Sequence, residues 1–160
     1  MGNIDILNTD TPIAIASDHA GYELKEAIIS YLLEHKLEVL DLGVPSPSRV
    51  DYPDVAQKLC QVVKEDISRQ AILICGTGVG MSICANRHTN IRAALCTNTT
   101  TAKLAREHNN ANVLVLGARL TGQDLAIECV KTFLNTAFSQ DERHKKRVEK
   151  IDKLLLEVEK

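Results

Sequence analysis

The sequence predicts an α/β fold: a three-layer αβα Rossmann-like sandwich built on a five-stranded parallel sheet. Three observations predict it. Short apolar runs alternate with longer amphipathic stretches along the 160 residues. The runs are predominantly apolar, as expected of strands covered on both faces. The stretches between them are long enough for helical crossovers, and right-handed crossovers place helices on both sides of the sheet.

Each element follows in order. PIAIAS (12–17) reads as the first strand. Residues 21–35 carry Leu24, Ala27, Ile28, Tyr31 and Leu32 at the spacing of one helical face. LEVLDLG (37–43) is a second strand, and VPSPSRVDYP (44–53) a loop with three of the four prolines. Residues 54–66 continue as a helix with Val55, Leu59 and Val62 on one side. AILIC (71–75) is a third strand and 78–87 a helix; IRAAL (91–95) is a fourth strand, followed by a helix over 99–108. NVLVLG (112–117) is the fifth strand, and helices over 121–137 and 140–158 close the chain. The last is highly charged, with Val148, Ile151, Leu154 and Leu155 on one stripe. Residues 1–11 read as an N-terminal extension and 12–160 as a single domain.

Composition excludes several classes. The net charge of −2 lacks the basic excess of a nucleic-acid binder, and 3% aromatic residues with no Trp leave no base-stacking platform. No apolar run approaches the ~18 residues of a membrane span. The N-terminus has neither a signal-peptide pattern nor a good myristoylation pattern, because Ile6 stands where Ser or Thr is wanted. Five widely spaced cysteines without a CxxC pair indicate neither a disulfide framework nor a zinc site. A cytoplasmic protein with reduced thiols is the expectation.

In a doubly wound sheet, ligands bind beyond the carboxyl ends of the strands. Ser17-Asp18-His19, Cys75-Gly76-Thr77-Gly78 and Arg119 all follow strands. The GTGVG loop is spaced GxGxG and follows the third strand. A dinucleotide fingerprint is GxGxxG after the first, and a Walker loop needs Gly-Lys-Ser/Thr. Three glycines in five residues fit an anion cradle of backbone N–H groups. Cys75 stands just before it. A thiol at the start of a helix gives up its proton more readily, so Cys75 is a candidate nucleophile or general base. Cys60, Cys84, Cys96 and Cys129 read as core residues. Asp18 suits a helix cap as well as a site, and His108, at a helix end, reads as structural from its position alone. His35, His88 and His144 read as structural too. Arg143 and Arg147, four apart, could offer two guanidinium forks to one phosphate.

DHAG (18–21), DYP (51–53), ICGTGVGMSICANR (74–87), EHNNANVLVLGAR (107–119) and RHKKRV (143–148), in that order, resemble the ribose-5-phosphate isomerase B family, with galactose-6-phosphate isomerase subunits as relatives. The resemblance runs from about residue 12 to about 150. It implies cofactor-free, metal-free interconversion of D-ribose 5-phosphate and D-ribulose 5-phosphate through a cis-enediolate, a step of the non-oxidative pentose phosphate pathway. Cys75 would be the base between C1 and C2, and Thr77 would assist transfer between the oxygens. The amides of Gly76, Thr77, Gly78, Val79 and Gly80, with Asn109, would hold the enediolate. His108 would open the furanose ring, helped by Asp18. His19, Arg119, Arg143 and Arg147 would hold the phosphate, and Tyr52 and Ser82 would line the pocket. The resemblance also implies a homo-oligomer, dimer or tetramer, whose sites are shared: His108, Asn109 and the C-terminal arginines would come from the partner. A galactose- or allose-6-phosphate isomerase, or a non-catalytic sugar-phosphate binder, remains an alternative.

Overall fold

The computed structural model describes residues 10–156. Its five strands are β1 (Ile13–Ser17), β2 (Val39–Asp41), β3 (Ala71–Cys75), β4 (Ala93–Leu95) and β5 (Val113–Gly117). All are parallel, in the spatial order β2-β1-β3-β5-β4. Six helices connect and cover them: α1 (Tyr22–Glu34), α2 (Tyr52–Lys64), α3 (Val79–Ala85), α4 (Thr99–Asn109), α5 (Gln123–Asn135) and α6 (Glu142–Leu156). Residues 1–9 of the expected extension lie outside the described residues. No described helix is long and apolar enough to cross a membrane.

The central strands β1, β3 and β5 are buried along their whole length, as an apolar run predicts. Their side chains alternate between two cores. Ile13, Ile15, Ile72, Ile74, Leu114 and Leu116 pack towards α1, α4 and α5. Ala14, Ala16, Leu73, Cys75, Val113 and Val115 pack towards α2 and α3. Two helical layers with a sheet between them are the sandwich the sequence predicts.

Several boundaries differ, each for a local reason. The edge strands are shorter than the apolar runs suggest, 39–41 and 93–95, because each pairs on one side only. Helix α2 starts at Tyr52, two residues early, since Pro53 is tolerated in a first turn that has no N–H bond to lose. Of the stripe expected on α6, Val148 is packed, while Ile151 and Leu154 are 41% and 63% exposed; the Leu155 side chain lies outside what is described. Lys25, which the helical pattern of α1 did not mark, is fully buried. Its Nζ lies 2.7 Å from both Glu26 Oε1 and Asp41 Oδ2. Burial disfavours the ammonium, but the two carboxylates outweigh it and its pKa is raised.

Candidate active site

Strand β1 has β2 on one side and β3 on the other, so the sheet's switch point lies between the carboxyl ends of β1 and β3. The Asp18 N–H donates to Ile74 O at 3.1 Å, which ties the loop after β1 to the end of β3. Asp18 is buried, and its Oδ1 accepts from the N–H groups of Ala20 (2.9 Å) and Gly21 (3.1 Å). One oxygen of this candidate catalytic carboxylate is therefore engaged as the cap of the 3₁₀ turn His19–Gly21. His19 opens that turn, and its Nδ1 is buried with no hydrogen-bond partner among the described residues.

Cys75 ends β3 on the α2/α3 face and is 5% exposed. Its Sγ accepts the Gly78 N–H at 3.1 Å. It is the one described thiol that accepts a backbone N–H. Elsewhere burial dominates: it pushes Cys60 up to about 12 and Cys96 up to about 11, and raises Cys129. Those three behave as the core residues the sequence predicts, whereas Cys84 is only half-buried. Gly78 has φ +78°, in the left-handed region that favours glycine, and this turn aims its N–H back at the sulfur. The expected amide cradle is narrower than five groups. Gly78 already donates to Cys75, and Val79 donates to Thr77 Oγ1 at 3.3 Å.

The loop's neighbours are the residues the sequence names. Arg119 lies over Gly76, with Nη1 3.3 Å from where a Cβ would stand, and its N–H donates to Gly76 O at 2.9 Å. The Tyr52 ring closes on Gly80 within 3 Å of a would-be Cβ. Ser82 is half-buried, its hydroxyl donating to Val79 O at 2.9 Å. Asp18, His19, Cys75–Gly80, Tyr52, Ser82 and Arg119 thus form one group at the carboxyl edge.

The remaining candidates are elsewhere. His108 and Asn109 end α4, just before β5 begins, and Val113 pairs with Ala71 while Gly117 pairs with Cys75. His108 therefore lies beyond the amino end of the sheet. It is separated from Cys75 by at least four strand residues, about 13 Å along the strand. Helix α6 packs on α4 and is pinned by the Arg92–Asp152 ion pair at 2.8 Å. His144 and Val148 face inwards from α6, so exposed Arg143 and Arg147 flank that seam. Arg143 is not a free fork: its Nε pairs with Asp141 Oδ2 at 3.1 Å. Within one chain the candidate residues therefore fall into two groups at opposite edges of the sheet.

Two neighbours of these groups escaped the sequence reading. One is His144, read as structural; its ring stacks on that of His108. The other is Gly117. A Cβ there would stand 2.5 Å from Thr77 O and 2.6 Å from its carbonyl carbon. No local pattern in the sequence marks it, because the contact joins two segments remote in sequence. Gly117→Ala is expected to push Thr77 out of place and to destabilise the fold by about 1–3 kcal/mol. Urea melts and turnover together check this; unchanged values in both would contradict it. No group of three or more His, Cys, Asp or Glu side chains able to hold a metal occurs among the described residues.

Residues 13–151 match the family model described as Ribose/Galactose Isomerase. A ribose 5-phosphate isomerase structure from Thermotoga maritima superposes with a TM-score of 0.88 at 52% identity, covering 91% of this chain and 99% of that one. The Escherichia coli protein named ribose-5-phosphate isomerase B is 42% identical over 87% of this chain and 93% of its own length. A Pectobacterium atrosepticum protein named D-erythrulose-4-phosphate isomerase is 43% identical over 79% of this chain and 84% of its own. The fold and these likenesses define the class: an α/β aldose–ketose isomerase. The chain belongs to the ribose/galactose isomerase family.

Proposed function

We propose that this enzyme interconverts D-ribose 5-phosphate and D-ribulose 5-phosphate. The observation that carries the chemistry is the Cys75 thiol held against the Gly78 N–H at the switch point. The phosphate binds to His19 and Arg119 of one subunit, with Arg143 and Arg147 of a second. His108 of the second subunit gives a proton to the ring oxygen as the O1 hydroxyl loses its own, opening the furanose. The Asp18 oxygen outside the cap takes up that O1 proton. The Cys75 thiolate removes the C2 proton from the open aldose, and the electrons move into the carbonyl to give the cis-enediolate. Backbone amides of the glycine loop and Asn109 stabilise the oxygens, and Thr77 relays a proton between them. Return of the proton from Cys75 to C1 gives the ketose. Tyr52 and Ser82 line the pocket.

The working unit in this proposal is a homo-oligomer, dimer or larger. Its support is the distance between half-sites, which no side chain spans within one chain. A different sugar is the second reading, since the family model covers ribose and galactose isomerases and one relative carries a four-carbon name. Side-by-side kcat/KM on ribose 5-phosphate, allose 6-phosphate, galactose 6-phosphate and erythrulose 4-phosphate tests it. One sugar carbon in a fitted pocket is worth about 10- to 200-fold. Ribose 5-phosphate is expected to lead by at least about tenfold; a six- or four-carbon substrate in the lead overturns the pentose assignment. Tight binding without turnover of any of them overturns catalysis itself.

A further inference from the structure

The His108 and His144 rings lie face to face, with centroids 4.4 Å apart and planes inclined by 10°. Their supports are unequal. His108 sits in the last turn of α4, where the chain leaves the helix through Asn110 at φ +44°. No hydrogen bond to another described residue fixes its ring, which leaves the stack on His144 as its aromatic support among the described residues. His144, by contrast, is 5% exposed in the first turn of α6. That turn is tied down by Asp141, which accepts from the N–H groups of Arg143 at its carboxylate (3.0 Å) and of His144 at its carbonyl (2.9 Å). One turn further on, Val148 is buried, and two turns further Asp152 grips Arg92.

We propose that His144 is a positioning residue for His108: a rigid flat platform that fixes the plane in which the His108 ring meets the sugar. It rests on the ring-opening role given to His108 above. A platform must also tolerate charge on its neighbour, because two stacked imidazolium rings repel. The surroundings provide for this. Burial lowers the His144 pKa, His108, Arg143 and Arg147 lower it further, and Asp141 opposes them. These groups together favour the neutral form of the His144 platform.

The test uses the full-length chain with His144→Phe and His144→Leu, each alone and combined with His108→Asn. Both replacements fill the space, but only Phe offers a flat face. Turnover of ribose 5-phosphate is measured, with the ring resonances of His108 followed by NMR. His144→Leu is expected to lower kcat about tenfold with KM within about twofold, the mark of lost orientation and not of lost binding. His144→Phe is expected to recover most of that loss and to keep the ring-current shift of His108, which His144→Leu abolishes. In the His108→Asn background, neither change should lower kcat further. Equal loss in Phe and Leu, no loss in Leu, or an undiminished effect in the His108→Asn background each overturns the platform. Should His108→Asn alone retain full turnover, the ring-opening role fails, and the platform falls with it.

Discussion

Cys75→Ala is expected to remove isomerisation almost completely, with kcat falling by about 10²- to 10⁴-fold and KM changing little. The proton lost at C2 needs an acceptor held in place, and the thiol with its Gly78 N–H is the group the carboxyl edge offers. Cys75→Ser separates chemistry from packing. The hydroxyl keeps nearly the same volume and can still accept the Gly78 N–H, but it does not ionise near neutral pH. Both variants should therefore fold, with melting temperatures close to the parent, and both should be inactive. In D₂O, the parent should incorporate solvent deuterium during turnover, and the variants should not. A serine variant within about tenfold of the parent would show that Cys75 is a packing residue and that another base works.

At ribose 5-phosphate well below the KM of the double arginine variant, mixing two nearly inactive proteins is expected to give an active one. Cys75→Ala spoils the carboxyl-edge half-site, and Arg143→Ala with Arg147→Ala spoils the half-site on α6. In a two-fold dimer with shared sites, a mixed pair contains one site with both defects and one with neither. Equal mixing with free exchange puts half the chains in mixed dimers, so about one quarter of parental activity should return. Removing the arginines alone should act chiefly through KM, since a phosphate ligand contributes binding in ground and transition states alike. Mass spectrometry verifies the exchange. Mixed dimers without activity would mean that each site is built within one chain, which the 113–117 register of β5 makes hard to arrange.

The core of the fold was legible because burial on both faces leaves a signature. β3, within 71–75, has the bounds read from the sequence, and β1 and β5 differ by one residue each. The edges were less legible. Val39–Asp41 is a strand only as far as β1 accompanies it, and pairing is not written in apolar runs. The carboxyl-edge group could be anticipated because the switch-point rule converts strand order into location, and the glycine loop marks its own turn. His108 resisted: its position at a helix end reads as structural, and only the family resemblance gave it a role. His144 and Gly117 were missed because each acts through a contact between segments remote in sequence. A stacked ring and an absent Cβ leave no local pattern.

The alternation of the two cores has a further meaning for Cys75. Along β3, Ile72 and Ile74 point to one side, and Ala71, Leu73 and Cys75 to the other. The thiol faces the glycine loop's helix by parity: it is an even number of residues from Ala71. Inserting or deleting one residue within this strand would send the sulfur to the isoleucine side, while two would return it. The proposed base thus inherits its direction from a count, and the length of this strand is as much a part of the candidate site as the cysteine.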